Sequence, residues 1–284
     1  MKFFKLIILS AVLLLTACSD YGEKRIVKLV TVNKENISFY YYDFKAEKPS
    51  FVIEQKQNTG IENTMTDILS ENDYNLKLCS FVVCDKAVVE DNIGELVSAL
   101  FNSRFSPDVS VVAGNTEEDC EKYTYMQNGK YPLHSYNMSK EALNGVVENA
   151  ETHEKYVIYN SKTVRTLDDR KSFAVDAAGN AVTKGVYTFD NQGKTLTANL
   201  ENINTFYSTE NGMVNVTLSA ILKNYKGMPA NKESKQQFIN LLEYNLDKDI
   251  RDIYEDSILT ECLNLDWFRK AYNTDKIKVN IIIK

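Results

Sequence analysis

Histidine, tryptophan and proline are nearly missing from this chain of 284 residues, which holds two, one and four of them. The two histidines, His134 and His153, stand in polar, loop-like stretches and in no metal-ligand or nucleophile spacing, so they read as plain surface residues. There is no glycine-rich phosphate loop and no nucleophile elbow. The sequence therefore offers no catalytic residue, no cofactor-binding residue and no metal ligand, and the chain is expected to be no enzyme. Basic charge is also in deficit, with 33 Lys and Arg against 39 Asp and Glu and a net charge of −6. That balance argues against nucleic acid and against broad electrostatic docking on anionic lipid. Five cysteines are too few for a disulfide scaffold in a chain this long. No apolar run reaches the ~20 residues that span a bilayer.

The most informative feature is the short apolar run at the start. Lys2 and Lys5 form a positive leader, Leu6 to Leu15 an apolar segment, and Leu15-Thr16-Ala17-Cys18 a bacterial lipoprotein processing site. Residues 1–17 are thus expected to be a signal peptide, with Cys18 the first mature residue and the acceptor of a diacylglyceryl group. Two or more acyl chains, at ~0.8 kcal/mol per buried CH₂, hold a protein on a membrane where one would not. The chain is expected on the extracytoplasmic face of a membrane, lipid-anchored. Removing Lys2 and Lys5 with the leader leaves 31 basic against 39 acidic residues, a net charge of −8.

The pattern beyond Cys18 divides in three. Residues 18–25 are polar and read as a tether. Residues 26–114 read as an α/β domain. Ile26 to Val32, Ile37 to Phe44 and Phe51 to Ile53 are three strands, the second crowded with aromatics. Thr59-Gly60-Ile61-Glu62 has capping-box spacing ahead of a helix, with Thr59 as N-cap. Leu76 to Cys84 is an apolar run of strand length, Ile93 to Leu100 a second amphipathic helix, and Val109 to Ala113 another strand. Cys79 and Cys84, five apart on one expected strand, cannot bridge each other and read as small core residues.

Residues 115–150 carry turn and loop signals, with a short helix expected at Ser139 to Val147, and read as a linker or reduced middle domain. Residues 151–284 read as an α+β domain. Its strands are Tyr156 to Tyr159, Gly185 to Phe189, Lys194 to Leu200, Val214 to Leu222 and Ile277 to Ile283, the last two alternating cleanly. Between them a long helix starts near Asn231, with Phe238, Leu242, Leu246, Ile250 and Ile253 as its apolar stripe. Asp247, Asp249, Asp252, Glu255 and Asp256, interspersed with Lys248 and Arg251, read as the solvated face of that helix. Trp267 reads as a core or junction anchor. The fold class expected is α+β: two mixed α/β domains, the second an antiparallel-rich sheet packed by a long helix.

Taken in order, these features resemble the Ger(x)C family, lipoproteins that serve as the C subunit of spore germinant receptors. The likeness lies in Cys18, the early strands, Thr59-Gly60-Ile61 opening a helix, Leu76 to Cys84, and Arg104 before the valine-rich strand. In the second half it lies in Gly185-Val186-Tyr187-Thr188-Phe189, the hairpin, the long helix and the terminal strand. The middle region is shorter than the family's. The resemblance implies polytopic membrane partners in the inner spore membrane, a nutrient sensed by the complex, and no functional residue beyond Cys18. The alternative is a free-standing extracytoplasmic ligand-binding lipoprotein, which the antiparallel second half disfavours.

Overall fold

The computed structural model describes residues 25–43, 50–117, 120–125, 130–138, 142–265, 267, 270, 273, 274 and 276–284. Residues 1–17, expected to be a signal peptide, and Cys18 lie outside the described residues. The chain divides into two compact units, residues 1–134 and 135–284.

In the first unit, β1 (Arg25–Val32), β2 (Asn36–Asp43) and β3 (Ser50–Gln57) form an antiparallel meander. Asn33 shapes the first turn, its Oδ1 accepting from the Glu35 and Asn36 amides at 3.0 and 2.6 Å. Helix α1 (Ile61–Glu71) follows, then β4 (Tyr74–Asn75) and β5 (Phe81–Cys84), which pair one after the other in parallel with β1. Helices α2 (Lys86–Asp91) and α3 (Ile93–Asn102) lead to β6 (Ser110–Ala113), parallel to β5. The order is β6-β5-β1-β2-β3. All four residues of β5 and of β6 are buried, as expected of parallel strands covered on both faces.

Two local expectations fail here. The capping box is not formed: α1 is entered through Gly60 at a φ of 131°, without a side-chain cap. The Thr59 amide instead donates to Thr64 Oγ1 at 3.1 Å, and Glu62 turns outward to accept from Asn102 Nδ2 at 3.2 Å. The apolar run Leu76 to Cys84 is strand only from Phe81. Asn75 Oδ1 accepts from the Lys77 amide at 3.1 Å and the Cys79 amide donates to the Leu76 carbonyl at 3.1 Å, which turns the chain ahead of β5.

The second unit contains two strand groups. β7 (Asn137–Met138) pairs with the start of β8 (Leu143–Asn149), and β8, β9 (Lys155–Tyr159) and β10 (Lys162–Leu167) form a meander. The helix expected at Ser139 to Val147 is therefore not there over its described part. Val146 and Val147 suit a ladder opposite Val157 and Tyr156, and Gly145 leaves the space that the Tyr136 ring fills. Helix α4 (Asp169–Ala178) was not expected either, because every residue from Ser172 to Ala178 is buried and no amphipathic period exists to read.

The second sheet runs β11 (Lys184–Asn191), β12 (Lys194–Glu210), β13 (Met213–Lys226) and β14 (Ile277–Ile283). The first three strands are antiparallel and β14 is parallel to β13. Asn211 and Gly212, at φ 52° and 73°, make the tight turn of the long hairpin. The parallel return to β14 needs a crossover, supplied by α5 (Lys232–Glu255) and the short α6 (Ser257–Cys262). Asn231 caps α5, its Oδ1 accepting from the Ser234 amide at 2.8 Å, and the Phe238, Leu242, Leu246, Ile250 and Ile253 stripe is buried. The fold is α+β, with an antiparallel-rich sheet and a long helix in the second unit.

Candidate functional site

Helix α5 carries one residue that its pattern misplaces. Asp249 follows Leu242 and Leu246 at helical spacing and precedes Ile253 by four, so it lies on the apolar stripe and is 6% exposed. The expectation of a solvated acidic face fails at this position. A buried carboxylate needs partners, and α4 and β11 supply them. Arg170 Nε and Nη2 donate to Asp249 Oδ2 and Oδ1 at 2.6 and 2.9 Å, a bidentate fork. Tyr187 OH donates to Oδ2 at 2.5 Å, and Asn245 Oδ1 accepts from Arg170 Nη2 at 3.2 Å. Burial and then the neighbouring carboxylate push the Tyr187 hydroxyl far up, so it stays a donor. The Asp249 hydrogen bond raises Arg170.

Asp256 is likewise engaged. Its Oδ1 caps α6, accepting from the Ile258 and Leu259 amides at 3.0 and 3.1 Å, while Arg165 Nη1 donates to Oδ2 at 2.6 Å. Only part of the acidic run, Asp252 and Glu255 among it, is exposed. Between α4, the end of β10 and α5 lies a cavity of about 250 Å³. Leu167, Val175, Ile253 and Leu259 give it an apolar lining, and Arg165, Asp168, Lys171, Asp249, Asp252 and Asp256 bring charges of both signs. Such a lining suits a small polar molecule carrying both charges better than a purely apolar one. It holds no nucleophile and base pair.

A second buried pair stands nearby in sequence. Lys155 is 0% exposed, with Nζ 3.1 Å from Asp176 Oδ2 and 3.8 Å from Glu148 Oε1. Tyr207, Tyr254 and Trp267 form a third cluster: Tyr254 OH donates to Tyr207 OH at 2.9 Å, and the Trp267 ring meets Tyr207 edge-on at 5.5 Å. Trp267 is half-buried there, as an anchor would be.

In the first unit, Arg25 at the start of β1 bonds Asn72, lies 3.5 Å from Glu54 and 3.8 Å from Asp43, and rests over the Tyr41 ring at 5.1 Å. Tyr74 OH also bonds Glu54. The histidines are exposed: His134 Nδ1 is 3.1 Å from the Pro107 carbonyl and His153 Nδ1 3.2 Å from Glu148. Cys79, Cys84, Cys120 and Cys262 are buried and form no disulfide among the described residues. Burial pushes the Cys79 and Cys262 thiols up to about 12 and Cys84 further, so they stay protonated and inert. Among the described residues no group of three or more His, Cys, Asp or Glu could hold a metal ion, and no helix is long and apolar enough to cross a membrane. Cys18, the one site residue singled out in the sequence, lies outside the described residues.

No family model and no curated protein matches the chain. Solved structures do. The chain resembles the GerBC protein. Its crystal structure aligns over 88% of this chain and 93% of its own length, at 11% identity and a TM-score of 0.44. Two structures of the Aquifex aeolicus Ppx/GppA enzyme align over 79% of this chain and 63% and 64% of theirs, at 12% identity and TM-scores of 0.22 and 0.23. The likeness to GerBC stands beside the Ger(x)C resemblance read from the sequence. At these scores none of the three carries an argument about activity.

The Arg170–Asp249 contact was missed because its partners lie 79 residues apart. Its signal was available on the helix itself: a carboxylate within an apolar stripe needs a counter-charge from another element.

Proposed function

We propose that this chain is a lipid-anchored extracytoplasmic subunit of a spore germinant receptor, acting in assembly and signalling without catalysis or a metal of its own. The observation that carries the reading is the Leu15-Thr16-Ala17-Cys18 site ahead of a chain whose sequence features resemble those of the Ger(x)C family. In this reading Cys18 carries the lipid, residues 26–114 and 151–284 work as separate domains around 115–150, and the partners are polytopic membrane subunits. The nutrient is sensed by the assembled complex.

The test has two parts. Mass spectrometry of the mature N-terminus should find a diacylglyceryl-modified Cys18, and Cys18→Ala should leave the chain unprocessed at that site. In spores, deletion of the chain should slow or abolish one nutrient response without altering spore formation, and crosslinking should recover polytopic partners. Intact responses to every germinant after deletion defeat the reading.

A second reading, a free-standing ligand-binding lipoprotein, is favoured by one observation: the mixed-charge cavity beside Asp249. Tight nutrient binding by the purified chain, lost in Asp252→Asn, would replace the first reading with this one.

A further inference from the structure

At the end of the first unit where the chain enters β1, a row of apolar and aromatic side chains reaches the surface. Ile26, Tyr42 and Phe51 are direct cross-strand neighbours on β1, β2 and β3, so their side chains share one face of the sheet. Tyr40 and Ile53, the next pair on that face, continue the row. The Tyr42 and Phe51 rings lie 5.2 Å apart and the Tyr40 and Phe51 rings 6.1 Å apart. Tyr40 is buried, but Tyr42 is 38% and Ile53 53% exposed, and Ile26 and Phe51 are half-buried. Of the neighbouring charges, Arg25 lies within ion-pair distance of both Asp43 and Glu54, which leaves one carboxylate in excess.

Seven peptide steps separate Cys18 from Arg25. At ~3.3–3.6 Å per residue fully extended, Arg25 lies no more than about 25 Å from an anchored Cys18. We infer that this row, Ile26, Tyr42, Phe51 and Ile53, rests in the headgroup–acyl boundary of the bilayer that holds the anchor. The inference depends on the lipidated Cys18 of the proposed function and adds which face of the protein meets the membrane.

Three physical points carry it. Tyrosine and a few aliphatic side chains suit the membrane interface, where one end of the ring is dry and the hydroxyl is wet. With no excess of basic residues among the charges named here, the seating rests on apolar contact and not on attraction to anionic lipid, in keeping with the chain's negative net charge. A patch this small would not hold a free protein on a membrane. A short tether raises its effective concentration to the millimolar range, where weak burial suffices.

The experiment uses the full mature chain on vesicles of phosphatidylcholine and phosphatidylglycerol. It is anchored either by its native lipid or, to make the test independent of that lipid, by coupling an unmodified Cys18 thiol to a maleimide-headgroup phospholipid. The four other cysteines are buried and do not compete. A tryptophan is introduced as Tyr42→Trp, as Ile53→Trp, or as Glu35→Trp at the opposite, hairpin end of β1 and β2. The parent's lone Trp267 supplies the baseline.

Seating ~5–10 Å into the boundary should cost the tryptophans at 42 and 53 about half their emission to acyl-brominated lipid and blue-shift them, while the one at 35 is untouched. The effect should persist in 1 M NaCl, as apolar seating requires. Equal, unquenched emission at 42, 53 and 35 on anchored protein overturns the inference and leaves the row to a protein partner. Quenching that disappears in high salt overturns it as well. An unmodified native Cys18 defeats the anchor reading alone, because the maleimide-coupled chain still reports on the face.

Discussion

The two units bury their polar groups differently. Among the described residues, the buried polar side chains of the first unit are uncharged, namely Thr31, Ser38, Thr64, Ser110 and Thr116, while its ion pairs such as Lys34–Asp91 and Arg25–Asp43 sit at partly or fully exposed positions. The second unit buries Glu148, Lys155, Asp176 and Asp249. The first unit is therefore held mainly by apolar burial across a sheet of antiparallel and parallel strands. The second adds contacts that must be made correctly or not at all, since a half-satisfied buried charge costs more than an apolar substitute. Such contacts fix one arrangement: Arg170–Asp249 sets the register of α5 against α4, and Tyr187 ties both to β11.

The largest effect should come from breaking the deepest pair. Asp176→Ala takes from the Lys155 ammonium its nearest carboxylate at a position with no exposure, leaving Glu148 at 3.8 Å, and should cost about 3 kcal/mol. Hydrogen exchange should show the loss in peptides of the second unit. Replacing the whole cluster, Lys155→Met with Asp176→Leu and Glu148→Gln, should cost far less than the single change. If it costs as much, apolar packing rather than charge pairing governs that site, and the contrast between the units is wrong.

A matching change in the first unit is Leu29→Ala, in the middle of β1 and fully buried. Loss of transfer energy plus a residual cavity should cost about 2–4 kcal/mol. No partner substitution should rescue it, because no charge is left behind. Rescue by a second polar-to-apolar change nearby would mean that the first core also depends on paired groups.

Alkaline pH offers a change that both units should share. Burial holds Cys79 in the first unit and Cys262 in the second at about 12, against an ordinary 9.0. Above pH 9 the unfolded chain gives up these protons and the folded chain keeps them, so stability falls as pH rises toward 12 and is undiminished below 9. The slope is about 1.4 kcal/mol per pH unit for each thiol once its unfolded form has ionised. Urea midpoints at pH 8, 9 and 10 measure it. A midpoint that does not fall between 9 and 10 would show that these thiols ionise in the native state.

The contrast between the units also explains what could be read in the sequence. Where burial was largely apolar, periodicity located the elements: β1, β2, α3, β13, β14 and the start and apolar stripe of α5 stand where the pattern put them. It failed where burial surrounds an element, as in α4, and where side chains of Asn and Thr redirect the backbone, as before α1 and β5. Polar contacts between distant segments were illegible, with one exception in principle. Asp249 on the apolar stripe of α5 announces a missing cation, but nothing in the sequence says that it is Arg170.

The smallest expected effect concerns a misfit in the first unit. Ser110, on β6, is 1% exposed, and its Oγ has no hydrogen-bond partner among the described residues. A buried hydroxyl without a partner retains its desolvation cost, commonly about 1–3 kcal/mol. Ser110→Ala removes the oxygen, keeps the Cβ and leaves only a small void. The two changes oppose, and the polar term is the larger, so the variant should gain up to about 1 kcal/mol. The backbone ladder from Phe81 to Ser110 is unaffected, since alanine keeps the amide and carbonyl. A midpoint unchanged or raised in urea at constant slope fits a core that gains nothing from buried polarity. A loss of 1 kcal/mol or more would mean that Oγ is satisfied after all, and that the first unit also specifies its packing through a buried polar contact.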